Sequence, residues 1–158
     1  MLASTWLVFW ICAAGTPAED SIEAWNQVAL SQHIVLVNWC QYPPEWPHLT
    51  LDSSGYKAGY CTPDAGGCAA PSQGFAWCIN TFTCAHELGH LMGLAHPSDT
   101  DCRGKLLPRK GFEGYLWDIV DNTVMDWSTG CPGQPFGPTP GDAQLLRNMV
   151  DNDVSRLP

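Results

Sequence analysis

The chain has 158 residues, 45% of them hydrophobic and eight of them tryptophan, which suits one domain around one core and excludes a disordered chain. Seven Lys and Arg against sixteen Asp and Glu give a formal net charge of −9, which argues against nucleic acid as a partner, because phosphate contacts need cations. Eight cysteines without a single Cys-x-x-Cys pair point to disulfides, and so to a secreted, extracellular protein, rather than to a cysteine-ligated metal.

Residues 6–14, WLVFWICAA, form an apolar run too short to span a bilayer. Residues 1–15 have two readings. One is a signal peptide, cut at the small residues Ala13 to Gly15 or Thr16 to Ala18. The other, which we favour, is the first strand of the domain. No Lys or Arg precedes the run, and removing Cys12 would leave an odd number of cysteines. Thr16-Pro17-Ala18-Glu19 also predicts a helix start, with Thr16 as N-cap, Pro17 in the first position and Glu19 closing a capping box. WLVFWIC and the later IVLVNWC (34–40) are both apolar runs ending in cysteine, with that helix between them. Strand, helix, strand implies a crossover and parallel pairing, which would bring Cys12 beside Cys40 for a disulfide. On the strand reading, any signal and pro-segment would lie upstream of residue 1.

The first helix is expected from Pro17 to about Ala29, with Ile22, Trp25 and Ala29 inward. A buried strand follows at 33–40, and 41–54 reads as loop. His33 and His48 are ordinary surface or core histidines on this reading. Residues 55–63 suggest a short strand, 61–74 a turn or loop, and 74–80 another strand. A helix is predicted from Thr83 to Met92, and 97–138 reads as mostly irregular. Within that stretch Arg103, Lys105, Arg109 and Lys110 read as a solvated loop, with a docking site for acidic groups as the sharper alternative. A last helix opens at Thr139-Pro140-Gly141-Asp142, a second cap of the same type, and runs to about Asp151 with Leu145, Leu146 and Met149 inward. There is no transmembrane span, repeat or linker, so the expectation is one α+β domain over 1–158.

The chemistry is concentrated in residues 86–96, HELGHLMGLAH. His86 and His90 share one helical face a turn apart and can bind one zinc ion. Glu87 lies beside them, placed to take a proton from a water rather than to bind metal. Gly93 ends the helix by accepting positive φ, which turns the chain so that His96 supplies a third nitrogen. Three ligands leave a tetrahedral position open, as a catalytic zinc requires. Five defined residues at fixed spacing arise by chance on the order of once in 10⁵ chains of this length, so incidental histidines explain the pattern poorly. A purely structural zinc is also a poor account, because structural sites are normally closed by four ligands and favour cysteine.

His86-Glu87-x-x-His90-x-x-Gly93-x-x-His96 resembles the extended zinc motif of the metzincin metallopeptidases. Asn122-Thr123-Val124-Met125-Asp126-Trp127 resembles the methionine turn that floors the zinc in that clan, with Met125 as its methionine. His96-Pro97-Ser98-Asp99 looks like the serralysin group, whereas the cysteines are closer to astacins or pappalysins. Where astacins and serralysins carry a tyrosine two residues after the turn methionine, this chain has Trp127, which offers no oxygen. The resemblance implies a mixed twisted sheet, a zinc-site helix, an irregular lower subdomain and a C-terminal helix. It implies an endopeptidase that binds extended protein or peptide substrates along an edge strand near residues 56–63, with one catalytic zinc as cofactor. Residues 125–140 would wall a selectivity pocket.

Further disulfides are expected at Cys61–Cys68, Cys78–Cys84 and Cys102–Cys131. The residues assign neither calcium nor an oligomeric state, and imply no stable membrane insertion. The alternative function is a catalytically inactive, disulfide-stapled binding module on the same scaffold. That reading gives no reason to retain Glu87.

Overall fold

A computed structural model describes residues 5–41, 43, 49–55, 66–94, 123–125 and 137–153. Among these residues five strands form one sheet: β1 Leu7–Ala14, β2 Ile34–Asn38, β3 Leu49–Asp52, β4 Gly67–Ala70 and β5 Phe75–Cys78, in the spatial order β2-β1-β3-β5-β4. The first four positions in that order run parallel, and β4 closes one edge antiparallel to β5. Three helices accompany the sheet: α1 Thr16–Ala29, α2 Thr81–Met92 and α3 Pro140–Asp153. The protein is therefore mixed α+β with a mostly parallel sheet. No helix among the described residues is long and apolar enough to cross a membrane.

The run at 6–14 is a strand, paired with β2 from Leu7↔Ile34 to Ile11↔Asn38. Parallel pairing brings equivalent ends of the two strands together, and Cys12 is bonded to Cys40. Side chains alternate across a strand, and β1 follows that alternation. Ile11 and Ala13 are buried in the core with Ile34, Leu36, Leu51 and Ala76, whereas Val8 and Trp10 are exposed. The core lies between this inner face and α1 and α2. Ile22, Trp25 and Ala29 of α1 enter it, as the periodicity predicts. Trp25 is fully buried, and its Nε1–H donates to the Ala85 carbonyl of α2 at 2.9 Å, which locks the two helices together.

Three local expectations are corrected. The segment 41–54 is not all loop, because residues 49–52 form β3. The segment 61–74 is not all turn, because residues 67–70 form β4. The helix-start motif at Thr16 does not cap α1: the N-cap is Gly15, and no side chain of the cap residue bonds there. Instead Ser53, just after β3, accepts a hydrogen bond from Ala18 N–H at 3.0 Å and donates to the Ala14 carbonyl at 3.0 Å. An orphan N–H of the first turn is thus satisfied from across the sheet, not by a neighbour in sequence. At α3 the same kind of motif does act locally, with Asp142 N–H donating to Thr139 Oγ1 at 3.3 Å and Thr139 N–H to Asp142 Oδ2 at 2.9 Å. Leu145 and Leu146 of α3 are buried and Met149 packs against the core, as expected.

The two cap readings differ in a measurable way. Ser53→Ala is expected to cost about 1 kcal/mol in urea unfolding with the disulfides intact. Thr16→Ala should stay within about 0.5 kcal/mol of wild type, as an exposed position without a partner role does. The reverse order would return the cap to Thr16.

Candidate metal centre

The helix that carries the motif is capped at both ends. Asn80 Oδ1 accepts from Thr83 N–H at 2.8 Å, and Thr83 Oγ1 accepts from Asn80 N–H at 3.2 Å, a reciprocal capping box. The Cys78–Cys84 disulfide ties β5 to the first turn of α2, as expected from the sequence. At the other end Gly93 takes a φ of 114°, and two hydrogen bonds form the terminating turn: Gly93 N–H to His90 O at 3.0 Å and Leu94 N–H to Gly89 O at 2.9 Å.

His86 and His90 stand on one face of α2, both buried, with Nε2 atoms 3.1 Å apart and rings near perpendicular. Each Nδ1 meets a backbone carbonyl at 2.8 Å: His86 that of Val124, His90 that of Leu94. A carbonyl oxygen can only accept, so in the neutral rings each Nδ1 carries the proton and each Nε2 presents its lone pair. Two lone pairs aimed at one region suit a shared cation. A histidine ligand is commonly fixed in this way, by a carbonyl or carboxylate on its other nitrogen. The pair thus fits a zinc ion. Among the described residues no group of three or more His, Cys, Asp or Glu side chains could hold a metal. The expected third ligand, His96, lies outside the described residues, as do Pro97, Trp127, the basic cluster at 103–110 and the Cys102–Cys131 pairing.

Glu87 is buried on the side of α2 that faces β4. A methyl group built at Gly67 would sit 2.8 Å from Glu87 Cγ and 3.1 Å from Oε1. The missing side chain at Gly67 is therefore what lets the carboxyl lie against the edge strand. Burial pushes the Glu87 carboxyl up from 4.5 to about 8. A cation held by the adjacent imidazoles would pull it back down. Among the described strands the edge next to Glu87 is β4; the expected edge at 56–63 lies outside the described residues.

Met125 packs against α2 at Gly89. It is buried, and a methyl group at Gly89 would collide with its sulfur. Sequence reading missed the support of this turn. Asp142, from the first turn of α3, is fully buried and accepts from Val124 N–H at 2.9 Å and from the Thr123 hydroxyl. Thr123 Oγ1 in turn accepts from Met125 N–H at 3.0 Å. Desolvation pushes the Asp142 carboxyl up, against the hydrogen bonds from Thr123, Val124 and Thr139 that pull it down. In sequence Asp142 is legible only as part of a helix cap.

Compared with known proteins, the chain matches no family model, no curated protein and no solved structure.

The contact between Gly89 and Met125 can be tested by stability alone. Gly89→Ala should destabilise the protein by about 1–3 kcal/mol through overpacking, although alanine favours a helix by about 1 kcal/mol. In a Met125→Ala background the same change should cost less, because the obstructing sulfur is gone. Equal costs in the two backgrounds would separate Met125 from the helix.

Proposed function

We propose that this protein is a secreted zinc endopeptidase of the metzincin type. The observation that carries the reading is the convergence of His86 and His90 Nε2 at 3.1 Å, with each Nδ1 pinned by a carbonyl, beside a buried carboxyl. His86, His90 and His96 would hold the ion. When bound, zinc supplies a Lewis acid that acidifies a water and polarises the scissile carbonyl. Glu87 removes the water's proton during attack and returns it to the leaving amine. Its place on α2 next to His86, against Gly67 of β4, supports this role.

An extended substrate would pair by its main chain with the outer edge of β4, which among the described strands has β5 as its only strand partner. The position of Glu87 against Gly67 sets the reacting bond toward the Gly67 end of that strand. Main-chain pairing gives affinity with little sequence selectivity. The Cys12–Cys40 and Cys78–Cys84 disulfides support an extracellular site of action.

The test is turnover of a mixed peptide library by wild type and Glu87→Ala, with zinc measured on both. Wild type should cleave with about one zinc per chain, a ligand count that follows from three histidines and an open position. Glu87→Ala should keep its zinc and lose roughly 10²- to 10⁴-fold in rate. Zinc bound by both without cleavage by either would favour the inactive binding module. Unchanged turnover in Glu87→Ala would remove Glu87 as the base.

A further inference from the structure

The two histidines are oriented by different means. His90 Nδ1 bonds to Leu94 O, four residues away, in the turn that ends its own helix. His86 Nδ1 bonds to Val124 O, 38 residues away in another segment. That second carbonyl lies in a segment that α2 meets through the His86 ring and through Met125 against Gly89. The Val124 peptide is also gripped from its other side. Its N–H donates to Asp142 Oδ2 at 2.9 Å, while Asp142 Oδ1 takes the Thr123 hydroxyl. Thr139 adds an N–H at 2.9 Å and a hydroxyl at 3.1 Å to the same Oδ2.

We infer that Asp142 is a positioning residue for His86: its buried carboxylate holds the Thr123–Val124 segment so that the Val124 carbonyl fixes the orientation and tautomer of the His86 ring. The chain of contacts runs from Asp142 through Val124 to His86. His90 has its own local anchor and stands outside it. An oxygen pair that accepts on every side suits this task. The donors around it, the N–H groups of Val124 and Thr139 and the two threonine hydroxyls, can be satisfied together only by a group that is acceptor on both atoms. An amide in its place would turn an NH₂ toward at least one of those donors. Even with its oxygen kept toward Val124 and Thr139, the NH₂ would compete with Met125 N–H for the Thr123 hydroxyl, which loosens the hold on the Thr123–Val124 segment; the proton of His86 could then move to Nε2, which removes the lone pair a metal needs.

The effect on metal binding rests on the reading of His86 as a ligand; the effect on its tautomer does not. The experiment compares Asp142→Asn with wild type by two readouts, zinc titration of the metal-free protein and imidazole ¹⁵N spectra without metal. Asp142→Asn should bind zinc roughly 10- to 100-fold more weakly, the loss typical of a disturbed ligand support. The His86 ring should lose its fixed Nδ1–H form while His90 keeps its own. Ser53→Ala serves as the control, because it should lower the melting temperature without moving either readout. Thr123→Val removes the hydroxyl on Oδ1 and the acceptor of Met125 N–H but leaves Val124 N–H on Oδ2, and should shift both readouts in the same direction by less, so the inference is tested even where Asp142→Asn does not fold. Wild-type zinc affinity and an unchanged His86 spectrum in the variant would overturn the inference, as would equal disturbance of His86 and His90. If wild type itself bound no zinc, the metal reading would fall, and the His86 spectrum alone would decide the positioning role.

Discussion

Two imidazole nitrogens 3.1 Å apart, each bearing a lone pair inside a buried face, are the arrangement on which the rest of the site depends. Left to themselves, such a pair has an easy relaxation. One ring moves its proton to Nε2 and donates to the other. The carbonyls of Val124 and Leu94 oppose that, because each engages a proton at Nδ1. The face is thereby kept electron-rich in a region where water screens little, and a positive charge placed there is favoured strongly. At Gly89 of the same helix the buried Met125 and Trp25 close in.

The fixing reaches the two rings by routes of very different length. For His90 it is the glycine turn at the end of α2, which a few residues specify. For His86 it requires the segment at 123–125 and the start of α3, and therefore requires α3 to be docked. That docking has its own anchors. Arg147 donates to the carbonyls of Thr5 at 3.2 Å and Gln32 at 3.4 Å, and α3 packs against α1. The C-terminal helix thus bears on the His86 ring mechanically, although none of its described residues touches that ring directly.

This difference in range also explains what could be read in the sequence. His86, Glu87, His90 and Gly93 were legible because their spacing lies within one helix and its cap, where 3.6 residues per turn fixes the geometry. The Cys12–Cys40 bond was legible because parallel pairing relates two similar runs. The cap at Thr16 was not, although its motif is the same type as the one at Thr139. At α3 the motif's own side chains bond the backbone; at α1, Ser53 from beyond β3 reaches the first turn instead. Strands β3 and β4 were missed because four residues set among Pro, Gly, Ser and Asp carry little periodicity, and their extended form is decided by the neighbours they pair with. Asp142 was seen as a cap and not as a support, since its link to Val124 exists only after folding.

The placement of the motif on α2 rather than on a surface helix has a chemical consequence. Every residue from Thr83 to Met92 is buried, which makes α2 a central element shielded on all sides. Burying three ionisable side chains in such a helix is costly unless each polar group finds a partner. The structure meets that demand with backbone carbonyls for the histidines. For Glu87 the described surroundings include the close approach of Gly67, and burial pushes its carboxyl up. The same shielding strengthens every charge interaction that a bound cation would make. On an exposed helix the same five residues would keep their spacing, but water would hydrate the histidines and weaken both the attraction for a metal and the basicity of the glutamate. Burial of α2 against Trp25 and the sheet is therefore what gives the spacing pattern a low-dielectric setting.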